Sequence, residues 1–267
     1  MRKTPLQEGR LAYNTIVVTD SGVIRTIALH RPERRNAMTP EMQTELISAL
    51  EATTVSRCRV LVLTGSGGAF CSGLDIAALR EARGTEDYRT DAKRTARLFL
   101  ALRDLPVPTI AAVHGPAIAG GTGLAMLCDF TLAAPDAKFG FTEVRIGFIP
   151  ALVSIFLSLQ IGDKRSRELL LTGRIFGADE ALRMGLVNEI VPAEEMEKRI
   201  RELAEILLAN SPQALSATKD LIGASYRAWL DAAIAHAIEA SVQTRDTSDF
   251  CEGIAAFLEK RPPAWTQ

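Results

Sequence analysis

Short apolar runs of β-branched residues mark the predicted strands of this chain. Two of them flank a Ser-Gly turn within residues 14–30, which predicts a β-hairpin. Further on, RVLVLTG (residues 59–65) and PTIAAVHG (residues 108–115) are almost wholly apolar and end in glycine. This pattern is typical of strands buried on both faces, so these runs predict the centre of a sheet.

Helical spacing of apolar residues appears between these strands. Residues 42–50 show it clearly, and Thr39 followed by Pro40 predicts the N-cap and first position of that helix. ARLFLALRDLP (residues 96–106) predicts a second helix that ends at its proline. The charged residues 80–94 lack a strong apolar stripe. We expect mobile surface or a lid there, with a solvated helix face as the alternative.

Strands alternate with helices up to about residue 195, and amphipathic helices follow. This order predicts an α/β core over residues 1–195 and a C-terminal helical region over residues 196–267. Hydrophobic residues make up 47% of the 267 residues, and the net charge is −1. That charge argues against nucleic acid or an anionic membrane as the main partner. The four cysteines are far apart and the N-terminus lacks an apolar segment, so we expect a cytoplasmic protein without a metal site.

Glycine-rich bends follow both central strands, at residues 67–76 and 115–123. If the strands are neighbours, the bends open at one edge of the sheet and their free backbone N–H groups can point at one spot. Such a spot suits a phosphate or a developing oxyanion. The P-loop and dinucleotide patterns are absent from both bends, which favours the oxyanion by elimination. Tight packing of a glycine-rich helix against a strand is the alternative.

Glu143 is the best candidate for proton transfer. It lies in FGFTEVRIGFIP (residues 139–150), where apolar residues surround it. Burial among apolar side chains raises the pKa of a carboxyl, and a pKa near neutrality suits a general acid–base. The alternative is an exposed glutamate on a strand edge or loop. A Ser-His-Asp triad is disfavoured because Thr122 lacks the G-x-S-x-G context and His114, at a strand end, is more typical of a structural histidine.

Five stretches together resemble the crotonase, or enoyl-CoA hydratase/isomerase, superfamily over residues 15–261. They occur in the family's order: NAMTPEM, VLVLTGSGGAFCSGLDI, PTIAAVHGPAIAGGTGLAMLCDFTLAAPDAKFGFTEVRIGFIP, LLLTGRIFGADEALRMGLVNEIVP and GIAAFLEKR. The resemblance implies an α/β crotonase fold, a ClpP-like spiral core of ββα units with a C-terminal helical trimerisation region. It also implies an acyl-CoA thioester as substrate, coenzyme A as part of that substrate with no cofactor bound permanently, and a homotrimer or a hexamer formed as a dimer of trimers.

The resemblance also assigns roles to residues. The backbone N–H groups of Leu74 and Gly120 match the family's oxyanion hole, which binds the thioester carbonyl, and Glu143 matches a catalytic glutamate. Contacts with the substrate and its CoA moiety are implied for Arg34, Ser72, Gly73, Leu74, Asp75, Ile76, Gly120, Phe257 and Lys260.

One departure from the family pattern bears on the reaction. Hydratases of this family place two glutamates around the substrate, and the first of these positions is Gly123 here. Moving a double bond from Δ3 to Δ2 needs one base, whereas adding water is easier with two carboxylates. A single glutamate therefore predicts either Δ3,Δ2-enoyl-CoA isomerisation or hydration of 2-enoyl-CoA. A non-catalytic acyl-CoA binder and a thioester hydrolase or C–C lyase are the alternatives. The apolar run at residues 151–160 predicts a bulky wall of the acyl pocket.

Overall fold

Two β-sheets and eleven α-helices make up the part of the chain that the computed structural model describes, residues 13–82 and 84–265. The strands are β1 (Ile16–Ser21), β2 (Ile24–Leu29), β3 (Val60–Gly65), β4 (Thr109–Val113), β5 (Ala117–Ile118), β6 (Phe130–Ala133), β7 (Lys138–Gly140), β8 (Ile175–Gly177) and β9 (Glu189–Ile190). The helices are α1 (Pro40–Thr54), α2 (Ile76–Glu81), α3 (Gly84–Arg103), α4 (Gly120–Leu127), α5 (Ala151–Ile161), α6 (Asp163–Thr172), α7 (Ala178–Met184), α8 (Met196–Leu208), α9 (Pro212–Ala224), α10 (Arg227–Arg245) and α11 (Ser248–Glu259).

The larger sheet has the order β1-β2-β3-β4-β6-β9, and the smaller sheet has the order β5-β7-β8. Strands β1 and β2 are antiparallel, which confirms the predicted hairpin. Strands β3 and β4 are parallel neighbours, so the glycine-rich bends that follow them leave the sheet at the same edge.

Both faces of the central strands are buried, as their apolar sequences predict. Along β3, Leu61 and Leu63 pack into the main core, whereas Val60 and Val62 pack on the opposite face against α8. Strand side chains alternate between faces, and this explains why a run without polar residues is needed here. No helix in the described ranges is both long enough and apolar enough to cross a membrane.

Two predictions about helices can be compared with the structure. The N-cap of α1 is confirmed, because the Thr39 hydroxyl accepts a hydrogen bond from the Met42 N–H and Pro40 occupies the first position. The alternative considered for residues 80–94, a solvated helix face, is supported. Apart from Ala82, the described residues of that stretch lie in α2 and α3, and most of them are exposed or half-buried, whereas a mobile surface or lid stays a prediction. The buried stripe of α3 begins with Ala92, Thr95 and Ala96, which are too small or polar to give a strong hydrophobic signal.

Asn36 fixes the chain that leads into the first glycine-rich bend. It is fully buried and has a left-handed backbone, with φ of 55°. Its side-chain amide donates to the carbonyl oxygens of Ser66 (2.9 Å) and Ala69 (2.8 Å), and its Oδ1 accepts from the Arg31 N–H (2.9 Å). Asparagine suits this position because it tolerates the left-handed conformation and satisfies buried carbonyl groups.

Replacing this residue tests its contribution to the fold. Asn36→Ala should lower the free energy of unfolding by about 2–4 kcal/mol, because it leaves buried carbonyl groups without donors and strains the backbone. Asn14→Ala is the matched control, since Asn14 is exposed and its side-chain amide bonds Glu41 at the surface. That control should change stability by no more than about 0.5 kcal/mol. Urea unfolding at one protein concentration measures both, and equal losses would contradict the assignment.

Candidate active site

The first glycine-rich bend lies as an extended segment, residues 71–74, between two other parts of the chain. On one side, the Met38 N–H donates to the Gly73 carbonyl (2.8 Å) and the Met38 carbonyl accepts from the Asp75 N–H (3.0 Å). On the other side, the Ile118 N–H donates to the Cys71 carbonyl (2.8 Å). The two bends are therefore joined directly by backbone hydrogen bonds.

The backbone N–H groups of Leu74 and Gly120 are left free by this arrangement. Met38 bonds the residues on either side of Leu74 as in a parallel ladder, so the Leu74 N–H points away from Met38. Gly120 is the first residue of α4, where N–H groups have no intrahelical acceptor. In the described ranges neither group has a hydrogen-bond partner in the protein. A Cβ placed on Gly73 would lie 3.5 Å from the Gly120 nitrogen, which shows how closely the bends approach.

Close packing at the start of α4 explains its glycines. A Cβ on Gly121 would lie 2.2 Å from the Cys71 carbonyl oxygen, so only glycine fits against the first bend. Tight packing of a glycine-rich helix is thus confirmed at this position. The preceding residue, Ala119, has φ of 53°, and its N–H donates to the Gly140 carbonyl (2.7 Å). Such a conformation costs a non-glycine residue about 1–3 kcal/mol and persists only where the surroundings enforce it.

Two polar side chains beside the bends lie within hydrogen-bonding distance of backbone carbonyl oxygens. The Thr122 hydroxyl is buried and donates to the carbonyls of Ala117 (2.6 Å) and Gly140 (3.1 Å). A His114 ring nitrogen lies 2.8 Å from the Gly67 carbonyl oxygen, in the first bend. These contacts give both residues structural roles, in agreement with the sequence analysis.

A cavity of about 270 Å³ opens between the two bends, the start of α5 and the end of α10. Most of its lining side chains are apolar, and they include Ala151, Leu152 and Val153 from the run predicted to form an acyl-pocket wall. The predicted site residues that line it are Ser72, Leu74, Ile76, Gly120, Glu143 and Phe257.

Four predicted contact residues lie outside the lining of this cavity. Asp75 caps α2 and pairs with Arg31 at 3.0 Å, and Gly73 has φ of 88°. Arg34 and Lys260 are exposed, and Arg35, next to Arg34 in the chain, lines the cavity in its place. For all four, a contact with a CoA moiety stays a prediction.

Glu143 is buried, with 9% of its surface exposed, so the exposed glutamate considered as an alternative is wrong. It begins the 3-10 turn Glu143–Ile146, and its side chain lines the cavity. Its Oε2 atom is buried without a hydrogen-bond partner in the described part of the chain. Desolvation by the apolar surroundings raises the pKa of this carboxyl to about 7. A carboxyl with this pKa can both accept and donate a proton near neutrality.

The position of the missing family glutamate is filled by apolar side chains. Gly123 lies in the first turn of α4. A Cβ there would lie 2.8 Å from Cγ1 of Val153 and 2.9 Å from Cζ of Phe99. Contacts this short cannot form without movement of the neighbours, so the packing leaves no room for a longer side chain as it stands.

Sequence reasoning missed the polar residues that α3 and α10 contribute to the cavity: Thr95, Ser241 and Arg245. A signal was present in α10, because its buried stripe at Leu230, Ile234 and Ala237 continues with helical spacing to Ser241 and Arg245. A buried arginine in such a stripe is uncommon and indicates a special role.

The burial of Glu143 predicts a distinctive dependence of stability on pH. Its folded-state pKa of about 7 lies above the ordinary value of 4.5, so the folded protein holds the proton more tightly than the unfolded chain. Stability therefore falls as the pH rises from 4.5 to 7 and stays reduced above that range. Glu143→Gln should lack this fall and raise the free energy of unfolding by about 3 kcal/mol above pH 7, with little effect below pH 4.5.

Urea unfolding over a pH series measures this difference. The exposed residue Glu205 supplies the control, and Glu205→Gln should follow the parent at every pH. A Glu143→Gln curve parallel to that of the parent would show that burial does not perturb this carboxyl.

Comparison with known proteins shows the family to which this chain belongs. A family model described as enoyl-CoA hydratase/isomerase matches residues 19–267. A Thermus thermophilus protein, provisionally named an enoyl-CoA hydratase, is 41% identical, with 93% of this chain and 99% of that protein covered. The short-chain-enoyl-CoA hydratase of Clostridium acetobutylicum is 32% identical, with 94% and 97% covered.

Solved structures agree with the sequence relatives. An enoyl-CoA hydratase from Mycobacterium avium has a TM-score of 0.84 at 31% identity, with 94% of this chain and 99% of that chain covered. The predicted crotonase fold is thereby confirmed. The chain is an enzyme that belongs to the enoyl-CoA hydratase/isomerase family of the crotonase superfamily.

Proposed function

We propose that this enzyme moves the double bond of an enoyl-CoA thioester from Δ3 to Δ2, with Glu143 as its acid and base. The observation that carries the proposal is the packing around Gly123, where Phe99 and Val153 occupy the space that a second carboxylate would need. Of the described residues that line the cavity, Glu143 alone bears a carboxyl group. Isomerisation fits this site because it needs one base and no positioned water.

The first step is removal of a proton. The thioester carbonyl oxygen accepts hydrogen bonds from the N–H groups of Leu74 and Gly120, which have no other partner in the described protein. The Glu143 carboxylate removes a proton from the carbon next to the carbonyl, and the bonding electrons move into a dienolate with its negative charge on that oxygen. A preorganised donor of this kind lowers the barrier by about 3–4 kcal/mol in comparable systems.

The second step returns the same proton. Protonated Glu143 donates it to the γ-carbon, and the electrons of the dienolate form the Δ2 double bond and restore the carbonyl. No atom is added to the substrate or lost from it. A pKa of about 7 suits both halves of the cycle, because the carboxylate is a stronger base than that of an ordinary glutamate and its acid form can still return the proton to carbon.

Hydration of a 2-enoyl-CoA is the second candidate. The names of the relatives favour it, since those from Thermus thermophilus and Clostridium acetobutylicum both refer to enoyl-CoA hydratases. In that reaction Glu143 would have to activate the water and supply the proton without a second carboxylate. The apolar side chains around Gly123 offer no polar group to share this work.

Substrate assays with the Glu143 variants test the proposal. The parent should convert a 3-enoyl-CoA to an isomer of the same mass, and Glu143→Gln should lower kcat by a factor of about 10²–10⁴ because the acid–base is lost. Glu143→Asp is the control that keeps the carboxyl, and it should retain more activity than Glu143→Gln. Mass spectrometry and a thiol reagent identify the products.

Any product other than the isomer would identify one of the alternative functions. A gain of one water from a 2-enoyl-CoA, with no isomerisation, would establish the hydratase. Release of free CoA would establish hydrolysis, and a shortened acyl-CoA would establish carbon–carbon cleavage. Tight binding without turnover of any thioester would establish a non-catalytic acyl-CoA binder.

Restoring the missing glutamate tests the packing argument. Gly123→Glu should lower the free energy of unfolding by more than about 2 kcal/mol, because its side chain meets Val153 and Phe99 and buries a charge. Gly123→Ala is the control for the steric part alone and should cost less. Hydration of 2-enoyl-CoA is measured on both variants. A stable Gly123→Glu protein with faster hydration would contradict the argument that this space is closed.

The homotrimer or hexamer expected from the resemblance stays part of this proposal. Large apolar side chains remain exposed on the C-terminal helices of the single chain, among them Ile206, Leu221, Ile222 and Trp229. Exposed apolar surface of this kind supports the proposal that these helices pack against further copies of the chain.

A further inference from the structure

We propose that Arg245 selects acyl groups that carry a carboxylate at the end remote from the thioester. This inference rests on the proposed binding of an acyl-CoA in the cavity, and it narrows the substrate class to monothioesters of dicarboxylic acids. Arg245 is the last residue of α10 and lines the same cavity as Glu143 and Gly120. In the proposed reaction Glu143 acts on the carbons beside the thioester. Arg245 makes no ion pair with Glu143 in the described ranges, and we assign it to the far end of the acyl chain.

The burial of Arg245 requires an explanation. Only 3% of its surface is exposed, in a cavity whose walls are mostly apolar. Removing a guanidinium from water is costly unless its charge and its N–H groups find partners. A long apolar side chain would fill the same volume at a lower cost in desolvation free energy. We therefore infer that the charge of Arg245 has a role beyond packing.

The partners of Arg245 in the protein leave part of its charge and donors unused. One Nη donates to Asp91 at 3.1 Å, but Asp91 also pairs with Arg94 at 2.8 Å. Two cations thus share one carboxylate, and this cluster has an excess positive charge. The Nε atom of Arg245 is buried and has no partner in the described protein. A guanidinium has five N–H donors, so capacity for a ligand remains.

Aromatic rings hold the guanidinium in place beside the cavity. Its carbon lies 5.3 Å from the ring centroid of Tyr88 and 5.6 Å from that of Phe148, and Phe148 itself lines the cavity. Cation–π contacts of this kind stabilise the charge without using its N–H groups. One turn earlier on α10, the buried Ser241 adds a hydroxyl to the same wall.

A carboxylate on the ligand would complete this arrangement. Arginine binds a carboxylate through two parallel hydrogen bonds, and such charge-assisted pairs are strongest where water is excluded. The excess charge of the Arg94–Asp91–Arg245 cluster would then be neutralised. In the described ranges no ion pair joins Arg245 to Glu143, so the catalytic carboxyl does not occupy this place.

The experiment compares binding of saturated thioesters, which have no double bond to shift or hydrate. Calorimetry measures the Kd of succinyl-, glutaryl- and adipoyl-CoA against butyryl-, pentanoyl- and hexanoyl-CoA. The parent should bind at least one dicarboxylic ester about 10- to 100-fold more tightly than its unsubstituted counterpart. Arg245→Met should abolish this preference and leave binding of the unsubstituted esters nearly unchanged. Arg245→Lys, which keeps the charge, should retain part of the preference.

Arg94→Met is the matched control. Arg94 belongs to the same cluster but does not line the cavity, so this variant should keep a preference through the N–H donors of Arg245. The preference should be weaker than in the parent, because Asp91 then pairs with Arg245 alone. In Arg245→Met, Asp91 keeps Arg94 as its partner, and circular dichroism checks that the variant is folded.

Two results would overturn this inference and leave the proposed function unaffected. One is equal binding of both ester series by the parent. The other is an equal weakening of both series in Arg245→Met, which would indicate a structural role for Arg245. Failure of the parent to bind any thioester would overturn the acyl-CoA site itself, and the proposed function with it.

Discussion

The site depends on one backbone contact, that of the extended segment 71–74 with the start of α4. Main-chain hydrogen bonds hold this segment against Met38 and Ile118, and the Cys71 carbonyl approaches Gly121 too closely for any side chain. Because backbone atoms make the contact, the positions of the free N–H groups at Leu74 and Gly120 do not depend on the rotamers of nearby side chains. Rigid placement of donors before a ligand arrives is what makes such groups effective in catalysis.

The apolar side chains around Glu143 affect both the pKa of its carboxyl group and the number of carboxyl groups in the cavity. Desolvation raises the pKa of the carboxyl to about 7, and ionisation then makes the folded state less stable. Proteins retain such strained groups where function requires them. The same apolar side chains include Phe99 and Val153, which take the space beside Gly123. The packing that raises the pKa of Glu143 therefore also leaves it as the only carboxyl among the described residues of the cavity wall.

Local and periodic signals made much of the fold predictable. Thr39 and Pro40 mark the start of α1 by their own chemistry, and β3 and β4 are apolar because both of their faces are buried. Prediction failed where tertiary contacts decide the outcome. The first buried residues of α3, such as Ala92, are small or polar and give a weak apolar signal. The environment of Arg245 depends on Asp91 and Tyr88 of α3, far away in the sequence, so its charge alone would place it at the surface.

Two ionisable groups of opposite sign share one poorly solvated cavity, and their separation has a chemical consequence. A cation beside Glu143 would lower the pKa of the carboxyl, whereas burial without a cation raises it. Arg245 is held by Asp91 and by the rings of Tyr88 and Phe148, and in the described ranges it forms no ion pair with Glu143. The anionic group that we propose for the ligand can therefore bind Arg245 without a lowering of the pKa of Glu143 by a direct ion pair. If the two groups formed an ion pair instead, the site would lose both the neutral-range proton transfer and the free positive charge. The aromatic and acidic contacts made by α3 and Phe148 thus allow the proposed substrate selection and the proposed proton transfer to operate independently within one cavity.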